Sequence, residues 1–207
     1  MKVFYTDSMV ADSESFSPSA RKPAEVVASW RVLGVQFEIV APDPVTIGQF
    51  ALAHEREFVE AVLAGKRNNG FGNRSAVVAA SLPYTSGAML ASARSAIASG
   101  GGAAAVPCSG FHHAGYDHPA GFCTFNGLVV AACALRAEGL ARRVGILDCA
   151  MHYGDGTDGL IDKLAARSWL RHVTLGGCYY APHPGEPFLT AWPRHALSWR
   201  SVGPLRF

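Results

Sequence analysis

The chain has 207 residues, 49% of them hydrophobic and 16% charged, with a formal net charge of +2. That is the size of one domain with enough apolar material for a core, which excludes general disorder. The small charge and the lack of any Lys/Arg run exclude a nucleic-acid partner held by charge.

The first residues, "MKVFYTDSMVADSES", contain no long apolar region and soon turn acidic and polar, so they do not read as a secretory signal. Apolar runs such as "LVVAACAL" are too short to span a bilayer, and no membrane partner is expected. Nothing in the sequence sets an oligomeric state. Within this frame "KVFYTD" reads as a first strand, and "QFEIVAPDP" as a second that stops at its prolines. "TIGQFALAHEREFVEAVLAG" carries Phe58, Val59, Val62 and Leu63 at helical spacing, with Gly65 as the stop, and reads as a helix. "KRNNGFGNRS" is a polar loop, and "SGAMLASARSAIASGG" an alanine-rich helix ended by glycines.

The informative region follows. "GGAAAVPCSG" reads as a buried strand running into the long loop "FHHAGYDHPAGFCTF". "NGLVVAACALRAEG" reads as a helix capped by Asn126 and stopped by Gly139, and "RRVGILD" as the next buried strand. Strand, helix and strand in this order predict a βαβ unit with parallel strands, and ligands in such sheets sit beyond the carboxyl ends of the strands. The clusters "GFHHAGYDH" and "DCAMHYGDG" both follow strand ends, so they are expected at one rim of the sheet.

His112 and His113 are adjacent, and Asp148 and Asp155 lie on the opposite loop. A carboxylate on one imidazole nitrogen fixes the tautomer and raises basicity, so two His–Asp dyads suit general acid–base chemistry. Asp148, Ala150 and His152 are spaced two apart and would share a face if the strand ran through them. His152 is a candidate metal ligand, but one histidine is not a site, since a catalytic zinc takes about three protein ligands. The glycines of "GDGTDG" read better as a tight turn than as a phosphate cradle, because the segment is acidic and lacks a P-loop lysine.

Five cysteines (Cys108, Cys123, Cys133, Cys149 and Cys178) are scattered without a CxxC pair. An odd, dispersed set reads as reduced thiols of a cytoplasmic protein, most simply as small buried hydrophobes. A hydrolase using Cys108 or Cys123 as nucleophile stays open, although no nucleophile elbow is present.

"GFHHAGYDHPAGFCTFNGLVVAA" followed by "VGILDCAMHYGDGT" resembles the zinc-dependent histone deacetylase superfamily, which includes acetylpolyamine amidohydrolases and acetoin-utilisation proteins. Weaker similarity runs back through "HEREFVEAVLAG" and forward to "HVTLGGCYYAPHPGE". The resemblance implies an α/β fold of arginase type, a parallel sheet sandwiched by helices, and hydrolysis of an acetylated lysine or acetylpolyamine. It implies that His112 and His113 are the catalytic pair, oriented by Asp148 and Asp155, and that His152 is a zinc ligand. Gly121 and Phe122 would line the substrate channel. Backbone groups of Asp148 and His152, with Thr174 and Leu175, would hold a structural potassium ion.

Two departures from the family pattern stand out. Ala150 occupies the position of an aspartate zinc ligand. The second aspartate ligand, a transition-state tyrosine and a glycine-rich loop belong to a further C-terminal portion, which does not occur before Phe207. The expectation is therefore a single, incomplete deacetylase-like domain over 1–207, apparently truncated, with weak or absent zinc binding and little activity. The alternative is a non-catalytic module that binds an acyl ligand or partner after losing the metal site. From Ala165 onward the character changes: five arginines face one acid, Glu186, and three of the four tryptophans (Trp169, Trp192, Trp199) occur without periodicity. An altered reading frame would produce such a tail.

Overall fold

β1 (Lys2–Phe4), β2 (Glu38–Val40) and β3 (Ala104–Ala105) form a parallel sheet in the order β2-β1-β3. These positions belong to a computed structural model, which describes residues 1–174 and 176. β4 (Val144–Asp148) and β5 (Leu170–Thr174) form a second parallel pair, with Val144 opposite Leu170 and Asp148 opposite Thr174. α6 (Asp155–Lys163) connects them, so β4-α6-β5 is a complete βαβ unit.

The unit predicted around the preceding helix, α5 (Gly127–Ala137), differs from the expectation. β3 pairs with β1 while β4 pairs with β5, so among the described residues the strands flanking α5 lie in different sheets. β3 is only two residues long and gives way at Pro107, which has no amide hydrogen to continue a ladder. The helix itself forms as expected. Asn126 caps it, its side chain accepting the Val129 N–H at 3.2 Å, and Gly139 follows its end at φ +72°.

The helix predicted over Thr46–Gly65 is broken in two. α2 (Ile47–Phe50) is closed by a reciprocal capping box between Thr46 and Gln49, and α3 (Arg56–Leu63) begins after Glu55. The break places His54 in the core, 1% exposed. Asn126 N–H donates to His54 Nε2 at 2.8 Å, and Nδ1 donates to the Gly115 carbonyl at 2.9 Å. A buried ring with both nitrogens committed to backbone outweighs one continuous helix.

α1 (Lys22–Val32) packs on the first sheet, and α4 (Ala76–Ala98) runs between the two halves. α4 starts ten residues before the predicted helix and carries Pro83 inside it, whose carbonyl accepts the Val45 N–H at 3.0 Å. Contrary to the expectation that no run could span a bilayer, α4 has the length and apolarity for it. Here it serves as the central core helix. Val78, Leu82 and Leu90 join Phe50, Phe58, Phe125, Val129 and Leu160 in the larger cluster, while Ala88 meets Val3, Phe4 and Val27 in the smaller one. Three phenylalanine rings knit the larger core, with Phe125 4.5 Å from Phe50 and 5.5 Å from Phe58. The first ten residues of the atypical stretch, 165–174, continue this fold: Leu170 is buried, and Trp169 packs on the core beneath Arg136 at 4.7 Å. Trp192, Trp199, Glu186, Cys178 and Leu175 lie outside the described residues.

Candidate active site

Two loops meet at the C-terminal end of β4, although the strands that precede them lie in different sheets among the described residues. Thr157 N–H donates to the His112 carbonyl at 2.9 Å, and Asn126 Nδ2 donates to Thr157 Oγ1 at 2.9 Å, joining α6 to the histidine loop. A Cβ on Gly156 would sit 2.4 Å from the His113 carbonyl carbon, so this glycine permits the contact. The tight turn expected at "GDGTDG" is instead the first turns of α6, with Gly154 as N-cap; Gly154 and Gly156 serve close packing, and none of the three glycines is left-handed.

The histidine pair forms two dyads. His112 Nδ1 lies 2.7 Å from Asp148 Oδ2, and His113 Nδ1 lies 2.6 Å from Asp155 Oδ1. The two rings are 4.1 Å apart at 55°. Burial pushes the Asp148 carboxyl up, but His112, His172 and the Ala150 N–H outweigh it and hold the group well below the usual carboxylate range. Asp155 moves the same way: burial raises it, and His113 with the Gly156 N–H lowers it further. Both dyads are thus built around carboxylates that stay charged.

The single-face expectation for Asp148, Ala150 and His152 fails. β4 ends at Asp148, because the Ala150 N–H turns back to the Asp148 side chain at 2.9 Å and takes the chain off the strand. Ala150 and His152 sit exposed on the following loop, with the His152 ring 6.0 Å from His113. His152 is near the dyads, yet among the described residues no three His, Cys, Asp or Glu side chains converge on a metal position. A methyl at 150 supplies no donor, so the described residues do not fit a zinc site.

The potassium site fits better. Thr174 lies opposite Asp148 on β5, and its hydroxyl is buried with no hydrogen-bond partner. Gly176 packs on the His152 backbone so closely that a Cβ would fall 2.4 Å from its carbonyl oxygen. Thr174 thus lies beside Asp148, and Gly176 lies against the His152 backbone; these groups carry the oxygen donors that a hard cation takes.

The two residues expected to line a channel lie beside the second dyad. Gly121 (φ +52°) and Phe122 (φ +63°) are both left-handed, a conformation that costs a non-glycine residue about 1–2 kcal/mol. A Cβ on Gly121 would meet His113 Cδ2 at 2.4 Å. The Phe122 ring stands edge-on to Phe16 at 5.2 Å and lies 6.1 Å from Phe71. Thr124 Oγ1 accepts the Gly70 N–H at 2.9 Å and Asn73 donates to the Ser13 carbonyl at 2.6 Å, holding the three loops together. Phe16 is 90% exposed although it takes part in this wall.

The Histone deacetylase domain family model matches residues 19–166. The chain belongs to this family. It is 37% identical over 70 residues to Histone deacetylase 15 of Arabidopsis thaliana, covering 33% of this chain and 12% of that protein. It is 48% identical over 46 residues to Acetylpolyamine amidohydrolase 1 of Pseudomonas aeruginosa, covering 22% of this chain and 13% of that one. An uncharacterized protein of Picosynechococcus sp. is 33% identical over 112 residues, or 51% of this chain and 36% of its own length. The chain therefore matches well under two thirds of the length of these relatives. The fold matches the crystal structure of the HDA15 HD domain with a TM-score of 0.71 at 22% identity, over 84% of this chain and 52% of that one. Acetylpolyamine aminohydrolase from Burkholderia pseudomallei matches with a TM-score of 0.63 at 22% identity, over 84% and 62%. The helix and parallel-sheet architecture of this deacetylase-family member is that of the deacetylase and acetylpolyamine amidohydrolase fold.

Several residues of the site escaped sequence reasoning. Phe16 and Phe71 come from loops outside the family motifs. His172 and Asp158, which contact each other at 3.1 Å behind Asp148, were also missed. The one available signal was a histidine two residues before Thr174, on the same side of a short strand. Cysteine catalysis finds no support: burial pushes the Cys108 thiol up to about 12 and the Cys123 thiol to about 11, far from a thiolate at neutral pH.

Proposed function

We propose that this deacetylase-family member carries the proton-transfer half of an acyl-amine hydrolase site, directed at an acetylated lysine or polyamine, and that the chain has negligible zinc-dependent activity. The observation that carries this reading is the pair of His–Asp dyads beside the Phe122 wall. His112 commits its Nδ1 hydrogen to Asp148, so its Nε2 is left as an acceptor facing the site. His113, steadied by Asp155, is positioned to give a proton to a departing amine. Opposite them, Ala150 removes one anionic oxygen from the position where a dication would need it, so no metal-dependent step is assigned. A reducing, cytoplasmic setting fits the scattered, unpaired thiols, of which Cys123 is buried whereas Cys149, against the expectation of small buried hydrophobes, is exposed.

The same substitution supports a second reading, a module that holds an acyl ligand without cleaving it. One experiment separates the two. Metal content of the purified chain and hydrolysis of acetyl-lysine and acetylputrescine are measured together with the melting temperature. We expect zinc well below one per chain and no hydrolysis. Stoichiometric zinc with measurable amide cleavage would overturn the proposal. A ligand-induced rise in melting temperature without zinc or cleavage would favour the binding module.

A further inference from the structure

His172 opens the segment "HVTLGGCYYAPHPGE" but has no role in either dyad, yet it is the most enclosed imidazole at the site. Its side chain is 0% exposed. Its Nδ1 lies 3.1 Å from Asp158 Oδ1, and its Nε2 lies 3.5 Å from Asp148 Oδ2. Nε2 makes no hydrogen bond and is one of two orphaned polar atoms among the described buried side chains, the other being Thr174 Oγ1, so its approach to Asp148 is a charge contact. Native structures rarely bury a ring nitrogen without a use for it. The Asp148 oxygen it faces is the one that receives His112.

The neighbourhood is shaped around this contact. A Cβ on Gly154 would fall 2.6 Å from Asp148 Oδ2 and 2.9 Å from His172 Cε1, so a glycine there leaves room for the two side chains to meet. Asp158 is held in turn by the Tyr153 hydroxyl. A continuous line therefore runs from His112 through Asp148, His172 and Asp158 to Tyr153. Among the described residues nothing comparable stands behind the second dyad, where the Asp155 side chain is 62% exposed.

We infer that His172 is a positioning residue: from the buried side of Asp148 it fixes the carboxylate against His112 and thereby locks His112, but not His113, in one tautomer. The inference rests on the dyad geometry of the proposed function and needs neither metal nor substrate, so it survives or fails independently of hydrolysis. A carboxylate gripped from one side can swing, and the ring it orients then samples both tautomers. A carboxylate gripped from both sides cannot.

The test is a long-range proton–nitrogen correlation spectrum of the histidine rings in the full chain labelled with nitrogen-15. In the natural protein His112 should show a single pattern, with Nδ1 protonated and Nε2 bare. His172→Phe should collapse that pattern into exchange-averaged signals, while His172→Gln, which can still donate to Asp148, should retain it. His113 signals should stay unchanged throughout. An unaltered His112 pattern in His172→Phe would overturn the inference, and so would an equal change at His113, which would mean general loosening. Should His172→Phe fail to fold, Asp158→Asn tests the same line from the half-buried flank of α6. It should loosen the His112 pattern partially, and no change there also overturns the inference.

Discussion

The two His–Asp dyads are neighbours in sequence and have almost equal hydrogen-bond lengths, yet they are different devices. Asp148 ends a strand, is 8% exposed, accepts hydrogen bonds from His112 and the Ala150 N–H, and has His172 Nε2 3.5 Å behind it. Asp155 opens α6 in the favourable field of the helix N-terminus and faces solvent. Bond length does not distinguish them; what stands behind each carboxylate does. In the buried dyad the protein holds the carboxylate in place of water, whereas in the exposed dyad water can substitute for either partner. Two adjacent histidines thus meet carboxylates in opposite environments, one buried and one wet.

The sharpest way to break this comparison is to delete each carboxylate. Asp148→Ala should destabilise the fold by about 4 kcal/mol, because it strands two histidines and a backbone N–H in a buried site. Urea denaturation measures the loss, and a cost as small as that of an exposed residue would show that the burial difference has no energetic weight.

Acid should act next. His54 supports the loop that carries His112 and His113, and burial holds its pKa down at about 4, against an ordinary 6.5. The folded state keeps the ring neutral while the unfolded chain takes up a proton. Stability is therefore complete above pH 6.5 and falls by about 3 kcal/mol as pH drops towards 4. His54→Gln should flatten that slope in denaturation curves across this range. Below the ordinary carboxyl value of 3.8 a further loss follows, since Asp148 and Asp155 both have lowered folded pKa values and stabilise the fold only while charged.

A smaller effect sharpens the comparison from the other direction. Gly154→Ala would push a methyl between Asp148 and His172 and should cost about 2 kcal/mol while leaving the His113 ring undisturbed. Nuclear magnetic resonance of the two rings distinguishes this from a global change. The smallest expected effect is Asp155→Ala, about 0.5 kcal/mol, because an exposed ion pair contributes little. A loss equal to that of Asp148→Ala would mean that the exposed carboxylate is structurally committed after all.

Much of the site could be read without coordinates. His112, His113, Asp148 and Asp155 form the expected dyads, although the strands before and after α5 lie in different sheets; hydrogen bonds from Thr157 to the His112 carbonyl and from Asn126 to Thr157 join the two loops instead. Asn126 and Gly139 bound their helix as expected, since capping is a local property of a few residues. The errors came where local preference met tertiary demand. The helix drawn through Thr46–Gly65 splits because His54 is needed by the backbone of a loop 60 residues away, which no periodicity encodes. The face shared by Asp148, Ala150 and His152 disappears because the Asp148 carboxylate captures the Ala150 N–H and ends the strand.

The sequence by itself determined the chemistry on offer: which side chains can carry protons, the alanine where a metal ligand would stand, and the family to which the motifs belong. These depend on residue identity and short spacing. Tertiary structure alone decided which carboxylate is buried and which is wet, brought Phe16 and Phe71 to Phe122, and set His172 behind Asp148. Those outcomes depend on contacts between segments far apart in the chain, where burial and the geometry of a shared hydrogen-bond partner, rather than local propensity, select the arrangement.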